Sequence, residues 1–414
     1  MSKCGRITGV VLALLLLVPL ASCKLTAKPG STTAATSASL SVTAAVPVEY
    51  RDLYSALKKD LDRFDSYLKS RDTGARYPVV FGAELLPANS NRGPELVKAG
   101  TLQGTLLYLD RLQQMGIQGV TINVAYPVYT PDFPQYQDYV KYFKQVAQEV
   151  HRRGMKLDVE TGVVFHDTDY STIKVDFSGL TLEKFGNDMH MMVQSIINDL
   201  QPDYVNLGAE PDTHASLLGI RELNSPQVYT QFVNSVLTGL DRGTTKIAAG
   251  IGTWSNTSFI ENLAKNTAID CVAIHIYPIM GDFLSKAATI AEIAAQYKKI
   301  VILDECWLYK TESPPGNIAG TTQVYRLDSF SFWAPLDEQF LAGVTKLCRM
   351  YHIEYVSPFW ANFFFGSLDY GPESANQTYI ETITLANKIA VQNILDGKLS
   401  ALGEYYSKLI SDNR

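Results

Sequence analysis

The apolar positions of this chain change period along its length. Between residues 50 and 70, Leu53, Leu57, Leu61, Phe64 and Leu68 recur every three or four residues among charged ones. That stripe predicts an amphipathic helix. Beyond it, short apolar runs alternate with longer stretches of helical period. The runs 79–83, 119–124, 156–164, 204–209, 246–250, 271–276, 300–304 and 354–359 read as strands. The stretches 101–115, 136–153, 182–200, 227–240, 259–265, 287–298, 338–351 and 380–396 read as helices. Eight strands with eight helices predict an α/β chain folded as a (β/α)8 TIM barrel, in one domain over residues 48–414. An open doubly wound sheet would give a similar string. It usually carries a glycine-rich phosphate turn after its first strand, and Phe81-Gly82-Ala83-Glu84-Leu85-Leu86 is not one. Residues 308–333, which include Pro314-Pro315-Gly316, form a long insert after the seventh strand, expected over the C-terminal face as a lid or subsite wall.

The N-terminus breaks this rhythm. Lys3 and Arg6 precede an apolar stretch, residues 10–17, that is too short to span a bilayer. Residues 1–22 therefore read as an export signal peptide. Leu20-Ala21-Ser22-Cys23 resembles the lipobox of bacterial lipoproteins, which implies that Cys23 is lipidated and becomes the first mature residue. Residues 24–47 are rich in Ser, Thr and Ala without apolar period, and read as a flexible tether behind the lipidated Cys23. The expected location is the cell envelope, with membrane attachment through lipid alone. Lys24 stands where an Asp resembling an inner-membrane retention signal would stand, so the outer membrane is the expected destination.

Composition narrows the function. The chain of 414 residues is 46% hydrophobic and 19% charged, which is neither disordered nor fibrous. A net charge of −6 without a long Lys/Arg run argues against nucleic acid as a partner. Tyr is the commonest aromatic, at 23 residues, which suits a wet cleft that stacks on its ligand. Cys271, Cys306 and Cys348 remain once Cys23 is lipidated, an odd number that compels no pairing. Cys306 beside Glu305 has no evident His base and reads as packing.

Reacting groups of such barrels come from the C-terminal ends of several strands. Here those ends read Glu84, Asn123, His166-Asp167, Glu210, Trp254, His275 with Tyr277, Glu305, and Trp360 with Asn362. The two strongest elements are Asn206-Leu207-Gly208-Ala209-Glu210-Pro211 and Val301-Ile302-Leu303-Asp304-Glu305-Cys306-Trp307, each ending an apolar strand in Glu. Glycosidic hydrolysis needs such a pair, one carboxyl to protonate the leaving oxygen and one to attack or to activate water.

This layout resembles the clan A glycoside hydrolases, retaining enzymes with an acid/base Glu after strand four and a nucleophile Glu after strand seven. The resemblance implies Glu210 as acid/base and Glu305 as nucleophile. His275-Ile276-Tyr277-Pro278 is similar to the clan's strand-six His-x-Tyr, whose Tyr bonds the nucleophile, and Trp360 is similar to the strand-eight Trp that floors the reacting subsite. One departure stands out. Clan members usually carry Asn before the acid/base, bonding the sugar 2-hydroxyl, and this chain has Ala209. Asn206 or Asn123 are the candidates to replace it. His166 and Asn362 are further candidates to bind sugar hydroxyls, and His166 with Asp167 equally suits a loop-tying role. Trp254 and Trp307 either stack on sugar or close the rim. Glu84 and Glu160 are either site carboxyls or members of buried ion pairs.

The expected activity is lipid-anchored retaining β-glycoside hydrolysis of an extracellular or cell-surface polysaccharide, with no cofactor. The alternative is a non-catalytic carbohydrate-binding lipoprotein with a degenerate barrel. A metal-dependent hydrolase lacks the expected ligand spacing, because no His-x-His ends the first strand, so no metal is expected.

Overall fold

The computed structural model describes residues 46–168, 170–312 and 324–414. The signal peptide 1–22, Cys23 and nearly all of the tether lie outside the described residues, as does the Pro314-Pro315-Gly316 part of the insert.

Eight parallel strands close into a ring in chain order: β1 Val80–Asn89, β2 Gly119–Asn123, β3 Lys156–Glu160, β4 Tyr204–Asn206, β5 Lys246–Gly252, β6 Cys271–Ile276, β7 Ile300–Cys306 and β8 Ile353–Pro358. β1 pairs with β8 at Val80↔Tyr355, which makes the sheet a (β/α)8 barrel without edges. Helices cover the outside, and their apolar stripes meet the outward-facing strand residues. Val120, Ile122, Val159, Val205, Ile247 and Ile274 belong to that outer core. A separate small core of Tyr204, Ala248, Cys271, Ala273, Ile302 and Tyr355 plugs the barrel interior. Alternation along each strand sorts residues between these two cores.

The elements follow the periodicity closely, with instructive departures. β4 has three residues because Gly208 takes φ +131° and turns the chain away from the strand. Helices Pro211–Leu218 and Ala401–Asn413 were not foreseen. The first carries Pro at its start and Gly219 at its C-cap, φ +71°, which is the signature that periodicity alone overlooks in eight residues. The N-terminal helix Arg51–Ser70 buries Leu57, Leu61, Phe64 and Leu68, packing against helix Ala334–Tyr351. Among the described residues, no helix is long and apolar enough to cross a membrane.

The described ends of the 308–333 insert are packed into the body. Lys310 is fully buried, 2.8 Å from Asp328 and 2.5 Å from Asp337, so one cation ties together the insert and helix Ala334–Tyr351.

Candidate active site

Glu210 follows β4 at the N-cap position of helix Pro211–Leu218. The approach to it is tight. A Cβ on Gly208 would lie 2.3 Å from the His214 ring, so the turn that aims Glu210 has no room for another residue. Burial drops the pKa of His214 to about 4, and the ring beneath the turn is neutral. Glu210 is half-buried and accepts a 2.6 Å bond from Thr213 Oγ1.

Glu305 lies near the end of β7, where the sheet register is irregular. Ala273 pairs with Ile302 and His275 with Glu305, so β7 spends three residues where β6 spends two. The same extra residue appears against β8, between the pairs Leu303↔Val356 and Cys306↔Pro358. Strict alternation would send Asp304 and Glu305 to opposite faces. The bulge lets both reach the barrel interior.

His275, in β6, is the hub. Its Nδ1 lies 3.0 Å from Glu210 Oε1 and 3.4 Å from Glu305 Oε2, and its Nε2 lies 3.0 Å from Glu160 Oε1 and 3.7 Å from Asp304 Oδ1. One oxygen of Glu210, one of Glu305 and a His275 nitrogen all lie within 4.8 Å of one another. Tyr277, two residues along and on the same side as His275, donates its hydroxyl to Glu305 Oε2.

Burial alone would strip His275 of its proton, but Glu305, Asp304, Glu160 and Glu210 outweigh it and hold an imidazolium. Burial and the charge of Glu160 push Glu305 well above the carboxylate range, and burial likewise raises Glu160. Burial also raises Glu210, but its bonds with His275 and Thr213 prevail and keep it ionised. Glu84 and Asp158 lie deeper, each fully buried and raised well above the ordinary range, first by burial and then by neighbouring carboxyls.

The other candidates divide. Trp254 is half-buried beside this cluster, 6.4 Å from Tyr277 between ring centres, with its indole N–H donated to Asp212 at 2.9 Å. Tyr309, which the sequence reading passed over, packs on Tyr277 at 4.6 Å. Asn123 bonds Ser90 at the end of β2. Asn206 is not a substitute for the missing Asn. It is fully buried, donating to Asp304 and accepting from the Gly208 amide, so both ends of its amide are occupied inside the barrel. Trp307 is no sugar platform either, because it is 2% exposed and enclosed by Phe363 and Phe364. Trp360, 5% exposed, packs 4.2 Å from Tyr325 and against Phe359. Asn362 is buried and donates to Tyr325 and Asn387, which makes it a structural amide. His166 does not join the Glu pair. It bonds the Leu217 carbonyl and Asp167, tying its loop to the end of helix Pro211–Leu218 beside a separate groove lined by Asp176, Phe177 and Leu218. Among the described residues no ion pair accounts for Glu84, and Glu160 belongs to the His275 cluster.

Asp304 is a further residue that the sequence reading missed. Its only signal was the Asp-Glu doublet at a strand end, which acquires meaning through the bulge.

No family model matches this chain, and no curated protein matches it in sequence. Solved structures do. An exo-β-1,4-mannosidase, Op5Man5, from Opitutaceae bacterium strain TAV5 is 17% identical with a TM-score of 0.50, over 82% of this chain and 60% of that one. A variant of GH5_18 from Bifidobacterium longum subsp. longum, in complex with Manb1-4GlcNAc, is 13% identical with a TM-score of 0.50, over 81% and 78%. The fold is that of these glycoside-hydrolase barrels. A β-glucosidase from Thermotoga maritima is 10% identical with a TM-score of 0.48, over 82% and 99%. The chain spans about three fifths of the mannosidase.

Proposed function

We propose that this protein is a retaining β-glycoside hydrolase of the clan A type, anchored by lipid at Cys23 and acting on an extracellular or cell-surface polysaccharide. The observation that carries the reading is the Glu210–His275–Glu305 constellation at the ends of β4, β6 and β7. One oxygen of Glu210 lies within 4.8 Å of one of Glu305, which supports the close carboxyl spacing, about 5–5.5 Å, that retaining enzymes use. Glu305 attacks the anomeric carbon while Glu210 protonates the leaving oxygen. Water, deprotonated by Glu210, then cleaves the glycosyl ester.

The resting proton distribution is reversed from what this requires, with Glu210 held low and Glu305 pushed well above the carboxylate range. His275 Nδ1, within 3.4 Å of both catalytic carboxyls, corrects it without net charge movement. Its proton passes to Glu210 Oε1, and it takes one back from Glu305 Oε2. Tyr277 then stabilises the ionised Glu305 by its donated hydroxyl.

The test is hydrolysis of glucan, mannan and galactan, and of the producing cell's exopolysaccharide, by the full chain and by Glu210→Gln and Glu305→Gln. Both variants are expected to lose roughly a thousandfold or more of turnover. The first-formed anomer, followed by NMR, is expected to retain configuration. Turnover that survives Glu305→Gln overturns the assignment.

A second reading has its own observation. Ala209 and the inward-facing Asn206 leave no amide where the clan holds the 2-hydroxyl, which favours a carbohydrate-binding lipoprotein with a degenerate barrel. Binding of one polymer without cleavage selects that reading.

A further inference from the structure

We infer that Glu160, His275 and Asp304 form a binding site for one divalent transition-metal ion of the zinc class. It lies at the His275 nitrogen opposite the one that meets Glu210 and Glu305, and it does not depend on the glycosidase reading.

The three ligands come from three strands. Glu160 ends β3, His275 lies in β6, and Asp304 lies in β7, where the bulge turns it inward. One donor atom from each lies within 4.8 Å of the others. His275 Nε2 is 3.0 Å from Glu160 Oε1 and 3.7 Å from Asp304 Oδ1. All three residues are more than nine-tenths buried, at 6%, 4% and 0% exposure for Glu160, His275 and Asp304. The two nitrogens of the ring differ in how their contacts are made. Nδ1 is hydrogen-bonded to Glu210 Oε1 at 3.0 Å. Among the described residues, neither Nε2 nor Asp304 Oδ1 has a hydrogen-bond partner, although both atoms are enclosed. The carboxyl oxygens come close to Nε2 but stand out of line for a hydrogen bond.

A metal ion accounts for such convergence, because its ligands point at a shared centre and not at one another. Ligands about 2.0–2.2 Å from a zinc-class ion lie roughly 3–3.5 Å apart, and the two Nε2 separations fall at and just above that spacing. The outer contacts fit as well. Asn206 donates to Asp304 Oδ2, which fixes the carboxyl and leaves Oδ1 for the ion. Glu210 holds the far nitrogen of the ring, the carboxylate–histidine arrangement that orients a metal-bound imidazole. A ring nitrogen among the donors selects a zinc-class ion over calcium or magnesium, which take oxygen. Binding releases the proton that Nε2 otherwise carries. Charge favours it too. Among the described residues, no Lys or Arg pairs with Glu160, Asp304 or the fully buried Glu84 and Asp158, and a dication supplies countercharge. The sequence pointed away from a metal because no His-x-His ends β1. Three single ligands on separate strands leave no spacing to read.

The experiment strips the full chain, free of any polyhistidine tag, with chelator and titrates it with Zn2+, Co2+ and Ca2+ by calorimetry. One Zn2+ or Co2+ per chain is expected, with visible absorption bands from bound Co2+ and no displacement of it by Ca2+. Glu160→Gln and Asp304→Asn are each expected to lose more affinity than the roughly ten- to hundredfold that follows loss of an outer contact. Glu210→Gln and Glu305→Gln are expected to keep the ion. The two ligand variants lie on separate strands, so either one decides the matter if the other fails to fold. A wild type that takes up neither Zn2+ nor Co2+ overturns the proposal. So does binding that survives Glu160→Gln and Asp304→Asn but is lost in Glu210→Gln and Glu305→Gln, which would seat the ion at the other nitrogen. No arm needs a substrate, so failure of the glycosidase reading shows separately, as absent turnover with the ion still bound.

Discussion

Tyr277 shows how much one residue type and spacing reveals. Just past the end of β6 it sits two positions from His275 and shares its side of the sheet. Its spacing from His275 was legible in the sequence, and its bond to Glu305 follows from the fold. Losing that hydroxyl removes a bond to a charged acceptor, worth about 1.5–3 kcal/mol. Tyr277→Phe is therefore expected to lower kcat by roughly ten- to a hundredfold with a smaller change in KM, measured on whichever polysaccharide the wild type cleaves. An unaltered kcat would remove Tyr277 from the mechanism. Asn206 and Trp307 teach the converse. Both are chemically apt for sugar and stand near the right Glu in sequence, yet both side chains are buried. Sequence proximity to a catalytic residue does not say which side of a strand or turn faces the substrate.

At the level of elements, strands and helices were readable because burial imposes its period on the chain. The site was readable where a carboxyl or the His275–Tyr277 spacing marked a strand end. Glu160 and Asp304 were obscure for different reasons. Glu160 was seen but had no visible partner, since the residues it meets come from β6 and β7. Asp304 depends on the β7 bulge, an extra residue with no composition of its own. The neighbouring strands are joined with little tolerance. A Cβ on Gly250 of β5 would sit 1.7 Å from the carbonyl oxygen of Ala273 in β6, a backbone atom that cannot rotate aside. Gly250→Ala is expected to cost on the order of 3 kcal/mol, or to prevent soluble expression. A melting temperature equal to wild type would mean that the two strands separate more easily than their packing indicates.

For the whole molecule, buried acids set the response to pH. Burial lifts Asp328 from its ordinary 3.8 to about 7, even with Lys310 beside it. The folded state keeps a proton through that window and the unfolded chain gives it up. The stabilisation is complete below pH 3.8 and is lost as pH rises through about 7. Asp328→Asn mimics the protonated form, so the fall in melting temperature between pH 5 and pH 8 should be smaller in the variant than in the wild type. Equal slopes would exclude Asp328 as a source of the pH dependence. Glu160, Glu305 and His275, each raised by its buried setting or its neighbours, act in the same direction, since each holds a proton that an unfolded chain releases sooner.

Ring closure between Val80 of β1 and Tyr355 of β8 has a kinetic side. In the unfolded chain water reaches Glu84, Asp158, Glu160, Glu210, Asp304 and Glu305 and keeps them ionised and apart at neutral pH. Closing the ring brings them together and expels that water. Completing this barrel is therefore an act of proton uptake from the surroundings, and the medium that receives the emerging chain is a reactant in its folding.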